Sequence, residues 1–105
     1  MKSITPVELK SKQDSGESYQ LIDVREPHEA DICTIGGQLI PMGTILDHVE
    51  DINKDKPVIV HCRSGKRSAA VIQTLEMKFG FDNLYNLEGG ILQYADDVDD
   101  SLERY

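Results

Sequence analysis

Apolar and polar residues follow two different periods along this chain, and the switches between them mark its elements. Ser3-Ile4 predicts a short edge strand. Thr5-Pro6-Val7-Glu8-Leu9 predicts a helix start, with Thr5 as N-cap, Pro6 at the first helical position and Glu8 three residues after the cap. The polar run from Ser11 to Ser18, with Gly16, ends that helix. Tyr19 to Arg25 reads as a strand, and Glu26 to Asp31 starts a short helix with Pro27 in its first turn. Gly36-Gly37 then breaks the chain, and Gln38 to Met42 is a short strand stopped by Pro41. Ile45, Leu46, Val49 and Ile52 recur at helical spacing after Gly43-Thr44, and Asn53 to Pro57 is a turn. Val58-Ile59-Val60 is apolar without alternation, which predicts a central strand buried on both faces. A helix is expected from about Ser68 to Phe79, with Ala69, Val71, Ile72, Leu75 and Phe79 as its apolar face and Gly80 as its stop. Asn83 to Leu87 is another strand, and Glu88-Gly89-Gly90 turns into a final helix over Ile91 to Ala95. Asp96, Asp97, Asp99, Asp100 and Glu103 make the C-terminal segment a polar tail.

Strands alternating with helices imply an α/β architecture with a mainly parallel sheet. The 105 residues show no linker, repeat or low-complexity segment, so one domain over residues 1–105 is expected. Ligands on such sheets sit at the C-terminal ends of the strands. Cys62 falls there, directly after the most apolar strand.

Charge changes the picture in one place. The net charge is −8, from 19 acidic and 11 basic residues, which argues against a nucleic-acid partner. No apolar run is long enough to span a membrane, and the first residues carry no apolar signal core, so a cytoplasmic location is expected. Cys33 and Cys62 have neither Cys-x-x-Cys nor zinc spacing, and no metal or cofactor is expected. Cys33 reads as a packed small residue, the alternative being a resolving thiol for Cys62.

The basic exception is the segment after Cys62. Arg63, Lys66 and Arg67 place three cationic side chains within five residues of it, in a loop ahead of a helix N-terminus. Consecutive backbone N–H groups in such a loop can curl around an anion. All of this favours a thiolate, the nucleophilic form of cysteine. The alternative, an inert buried cysteine, leaves Arg, Lys, Arg, Gly and two Ser in the next six residues unexplained. Cys62 to Arg67 is Cys-x4-Arg, a loop of six residues. The phosphate-transfer signature is Cys-x5-Arg, one residue longer. A narrower cradle suits one extra sulfur atom on Cys62 better than a phosphoryl group, which disfavours a phosphatase.

Three ordered segments carry a family resemblance. Leu21-Ile22-Asp23-Val24-Arg25-Glu26-Pro27, His61-Cys62-Arg63-Ser64-Gly65-Lys66-Arg67-Ser68 and Leu87-Glu88-Gly89-Gly90-Ile91 resemble the signatures of the rhodanese domain of sulfurtransferases. The resemblance covers most of the chain. It implies a three-layer α/β fold, with a mainly parallel sheet flanked by helices on both faces. It also implies that Cys62 carries a persulfide, surrounded by backbone amides from about Arg63 to Ser68. One departure is Cys33-Thr34-Ile35-Gly36-Gly37-Gln38, where the family usually has Gly-His-Ile-Pro-Gly-Ala. Asp31-Ile32-Cys33-Thr34-Ile35-Gly36-Gly37 followed by Ile40-Pro41, together with the tail from Gly89-Gly90-Ile91 through Asp99, Ser101-Leu102 and Tyr105, is similar to the C-terminal rhodanese domain of E1-like activating enzymes of molybdopterin synthesis and tRNA thiolation. Such enzymes imply a sulfur-carrier protein or an E1-like enzyme as partner.

These residues divide by expected role. Cys62 attacks a donor such as thiosulfate or a protein persulfide. Arg63 and Lys66 face the mouth and hold the anionic donor. Arg67 either does the same or braces the loop against a carboxylate. Gly65 allows close backbone approach. Ser64 and Ser68 donate hydrogen bonds to the sulfur, or Ser68 only caps the helix. His61 should point to the opposite face from Cys62, as a core or interface histidine rather than a general base. Asp23 and Arg25 form a structural ion pair, the alternative being a catalytic role, and Glu26, Glu29 and Asp31 form a solvated helix face, the alternative being a partner surface. The expected activity is sulfur transfer; the alternative is a sulfur-carrying or regulatory module that acts with a partner protein without turnover on small donors.

Overall fold

A computed structural model describes residues 1–105. Five strands form one sheet: β1 (Lys2–Ile4), β2 (Gln20–Asp23), β3 (Gln38–Leu39), β4 (Val58–His61) and β5 (Leu84–Leu87). Their spatial order is β1-β5-β4-β2-β3, and every pairing is parallel. The helices are α1 (Pro6–Ser15), α2 (Pro27–Ile32), α3 (Lys66–Phe79) and α4 (Gly90–Asp97). Ile45–Asp51 is a 3₁₀ segment.

Strand alternation builds two cores. On β4, Val58 and Val60, followed by Cys62, face a cluster with Ile22, Ile45, Ile52, Val71, Ile72, Leu75 and Leu84. Ile59 faces the other way, into a cluster with Ile4, Leu9, Leu87 and Tyr94. So α3 and the 3₁₀ segment cover one face of the sheet, and α1 and α4 cover the other. This is the expected three-layer arrangement, with β4 central and buried along its whole length.

Local signals place the first helix as read. The Thr5 hydroxyl accepts from Glu8 N–H at 3.1 Å, and Glu8 Oε1 accepts from Thr5 N–H at 2.9 Å, a reciprocal cap. Two expectations need correction. The segment after Thr44 is not an α-helix: His48 leaves helical backbone geometry and splits it into two tight turns, closed by Asp47 N–H to Thr44 C=O and Ile52 N–H to Val49 C=O. Ile45 and Ile52 are buried without Leu46, which stays exposed. Phe79 is likewise outside the core at 43% exposed; Phe81, past the Gly80 stop, fills that end instead.

The acidic tail also departs from expectation. Residues 98–105 fold back over the protein. Val98 and Leu102 pack on the cluster around Leu9 and Tyr94, Arg104 pairs with Asp96 at 2.8 Å, and Tyr105 reaches the rim of the sheet. Two aliphatic side chains spaced among the acids give the segment enough apolar contact to dock.

Candidate active site

Strand β4 delivers Cys62 to the C-terminal edge of the sheet, where the chain turns into the first turn of α3. The helix starts at Lys66, two residues earlier than expected, with Gly65 as N-cap at φ +102°. That backbone geometry strongly favours glycine. It turns the loop so that its N–H groups point back at the cysteine. Gly65 N–H lies 3.1 Å from Cys62 Sγ; Ser68 N–H and Ser68 Oγ each lie 3.5 Å away. Ser68 is buried and is not the N-cap.

These donors set the state of the sulfur. Burial pushes the Cys62 thiol up, but hydrogen bonds from the Ser68 hydroxyl and from the N–H groups of Ser68, Gly65 and Ser64 outweigh it and hold the thiol below its ordinary value. The positive end of α3 acts in the same direction. The Ser68 hydroxyl has one proton and two claimants, Cys62 Sγ and Asn86 Oδ1, the latter at 2.5 Å. An ionised sulfur is the stronger acceptor, so the proton moves toward it as the thiol ionises.

The loop is held from three sides. Ile91 and Leu92 N–H, in the first turn of α4, donate to Cys62 C=O at 3.0 Å and Arg63 C=O at 3.2 Å. That contact explains Gly90: a β-carbon there would lie 2.4 Å from Arg63 O and 2.7 Å from Cys62 O. Asn86 Nδ2 on β5 donates to Gly65 C=O at 3.1 Å. On the third side, Arg67 makes a two-pronged pair with Glu29, Nη1 to Oε1 at 2.7 Å and Nη2 to Oε2 at 2.8 Å. Of the two roles open to Arg67, the geometry is that of the brace. The Arg67 guanidinium, with the Tyr105 hydroxyl and the Glu26 N–H, outweighs partial burial and holds the Glu29 carboxyl at about 2.

Glu29 therefore corrects the solvated-face reading of α2. It is 7% exposed, while Glu26 and Asp31 are exposed as expected. The short helix is itself pinned by Arg25, whose fully buried guanidinium pairs with Asp23 at 2.8 Å and donates to Glu29 C=O and Cys33 C=O. The Asp23–Arg25 pair is thus structural, as read. His61 is buried on the face opposite Cys62. Its Nδ1 lies 3.3 Å from Cys62 C=O, and Nε2 lies 3.8 Å from Asp23 Oδ2 without a hydrogen bond. Burial lowers its pKa. It is therefore a neutral core histidine and no base for the cysteine.

Of the remaining loop cations, Lys66 is exposed and has no ion-pair partner. Arg63 is exposed and stacks on Tyr105, with its Cζ 4.9 Å from the ring centroid. The Tyr105 hydroxyl donates to Glu29 Oε2 at 2.7 Å and accepts from Arg25 Nη1 at 3.0 Å.

Sequence reasoning missed Asn86, the Glu29 partnership and Tyr105. Asn86 left a trace: it shares its strand face with Leu84, on the Cys62 side, and lies in register with Val60. A polar residue on that apolar face signals a specific partner. Tyr105 left none.

A model of the rhodanese-like domain matches residues 5–97. The chain is 37% identical over 106 residues to the "Probable adenylyltransferase/sulfurtransferase MoeZ" of Mycobacterium tuberculosis, covering 98% of this chain and 27% of that protein. It thus spans about a quarter of MoeZ. It is 38% identical over 95 residues to YtwF of Bacillus subtilis, covering 90% of each. A crystal structure of a rhodanese-like domain protein from Staphylococcus aureus superposes with a TM-score of 0.82 at 36% identity, covering 100% of this chain and 99% of the other. With its three signatures on one parallel sheet, this chain belongs to the rhodanese-like domain family.

Proposed function

We propose that this chain is a sulfurtransferase that moves a sulfane sulfur through a persulfide on Cys62. The observation that carries the reading is the cradle: Gly65 N–H at 3.1 Å and Ser68 N–H and Oγ at 3.5 Å converge on one buried sulfur. Such donors stabilise negative charge both on the attacking thiolate and on the outer sulfur of the product.

The chemistry is two half-reactions. The Cys62 thiolate attacks the outer sulfur of thiosulfate; a new S–S bond forms, the old one breaks, and sulfite leaves with its electron pair. A thiolate or cyanide then attacks the outer sulfur of Cys62–S–S⁻, and the Cys62 thiolate is regenerated. A protein persulfide can replace thiosulfate in the first step, with its thiolate as leaving group. Arg63, Ser64, Gly65, Lys66 and Ser68 form the substrate-facing loop in this reading, and Arg67 holds it in place. The similarity to part of MoeZ supports a sulfur-carrier protein or an E1-like enzyme as the physiological partner.

Cys62 is only 1% exposed. The second reading is a sulfur-carrying or regulatory module that takes sulfur from, or delivers it to, a docked partner protein without turnover on small donors, and in either reading the loop must open to admit the donor to so buried a sulfur. Intact mass after exposure to thiosulfate, with Cys62→Ser in parallel, tests both. Gain of one sulfur atom by the unaltered protein alone, removed by cyanide, is the expected result. Gain only from a persulfide-loaded cysteine desulfurase supports the module. Gain by Cys62→Ser overturns the assignment.

A further inference from the structure

We propose that Tyr105 is a positioning residue for the reaction: its ring fixes the Arg63 guanidinium beside the Cys62 loop, where an anionic donor is held. The inference rests on the sulfurtransferase reading for the identity of that donor, and deepens it by naming what sets the anion site.

Each neighbour of Tyr105 belongs to the site. Arg63 Cζ lies 4.9 Å from the ring centroid, within the range of a cation–π contact. Arg25 Cζ lies 5.9 Å from it, toward the hydroxyl that Arg25 Nη1 bonds. The hydroxyl both accepts and donates: it accepts from Arg25 Nη1 and donates its one proton to Glu29 Oε2 at 2.7 Å. Glu29 is the carboxylate that anchors Arg67, at the far end of the same loop. A single side chain therefore contacts the loop's first arginine directly and its last through Glu29.

The placement of the ring does not depend on Arg63. Asp99 accepts from Ser101 N–H at 3.1 Å and turns the segment, Leu102 packs on the apolar cluster, and Arg104 holds Asp96 at 2.8 Å. The ring is thus placed by its own segment, and the exposed arginine packs onto it. A guanidinium on an aromatic face keeps its charge and its N–H edge, so Arg63 remains able to bind an oxyanion while its rotamer freedom falls. That ordering is done before the donor arrives.

The test titrates inorganic thiosulfate into protein carrying Cys62→Ser, which cannot turn over, and follows the Arg63 side-chain and Gly65 amide resonances. Adding Tyr105→Ala should weaken binding about two- to fivefold, the range of an exposed cation–π contact. Tyr105→Phe keeps the ring and should restore most of the affinity. Arg63→Ala should weaken binding too, and make Tyr105→Ala silent, since the two act as one unit. A purely structural Tyr105 would lower the unfolding midpoint without moving the dissociation constant. Equal affinity with and without the ring, additive effects of the two alanines, or no anion binding at the loop each overturns the proposal. Sulfur uptake on Cys62 of the unaltered protein is measured separately, and its failure strikes the sulfurtransferase reading instead.

Discussion

Glu29→Gln is the sharpest perturbation of the loop's support. The substitution keeps the shape of the side chain and its acceptor for Glu26 N–H, 3.1 Å away, but removes the charge that Arg67 grips. The Glu29 carboxyl is lowered from an ordinary 4.5 to about 2. A difference of that size corresponds to about 3 kcal/mol of stability at neutral pH. Arg67 is 34% exposed, so solvent screens part of it, and a loss of about 2 kcal/mol is expected.

The pH dependence separates this cause from mere repacking. A carboxylate whose folded pKa is depressed stabilises the fold fully above its unfolded pKa. That contribution fades as pH falls through the folded value. The unaltered protein should therefore lose the Glu29 contribution between pH 4.5 and about 2. Urea unfolding of both proteins at a series of pH values gives the difference directly, and other carboxylates cancel. A gap of about 2 kcal/mol at pH 7 should shrink by more than half by about pH 2.5. A gap that stays constant over that interval would refute the electrostatic account and leave only lost packing.

Three other outcomes rest on the same geometry. Ser68→Ala removes a donor that the thiolate attracts, so the pH profile of Cys62 alkylation should move to higher pH; an unmoved or lowered midpoint would mean that Asn86 keeps the proton. Gly90→Ala puts a β-carbon 2.4 Å from Arg63 O at φ +62°. It should cost at least about 2 kcal/mol in urea unfolding, and near-neutral stability would show that α4 is free to slide away from the loop. Arg25→Met leaves Asp23, 1% exposed, buried and unpaired at a cost of about 3–5 kcal/mol, and Asp23→Leu on top should recover part of it; no recovery would place the loss in the bonds from Arg25 to Glu29 C=O and Cys33 C=O.

Elements were legible in the sequence where a local rule and a tertiary need agreed. Thr5 with Glu8 is a cap whatever the helix packs on, and Val58-Ile59-Val60 is apolar on both sides because both sides are covered. Position 62 was legible because cations crowd a strand end in an acidic chain. Failure came where local pattern and tertiary fit diverged. Ile45, Leu46, Val49 and Ile52 satisfy a helical period, yet the segment breaks at His48 into two tight turns that bury Ile45 and Ile52 and leave Leu46 out. Phe79 fits the α3 period but lies one turn past the buried Leu75, where the sheet edge is already filled by Phe81.

The site's supports were hidden for a different reason. Glu29 lies 38 residues from Arg67 and Tyr105 lies 80 from Arg25. Charge pattern alone makes Glu29 one more acid on a short helix and residues 96–105 one more solvated tail. What distinguishes them is desolvation. Arg25 is completely buried, and a buried guanidinium needs every donor matched. Asp23 takes two of its nitrogens, and the carbonyls of Glu29 and Cys33 take further N–H groups. One N–H direction remains, and Tyr105 Oη fills it. The tyrosine's own proton then needs an acceptor, which is Glu29, already poised by Arg67. The fold-back of an acidic segment onto a cationic loop is thus the completion of a hydrogen-bond set that begins at Asp23. The same chain of bonds runs from Asp23 at the end of β2 through Arg25, Tyr105 and Glu29 to Arg67 in the first turn of α3.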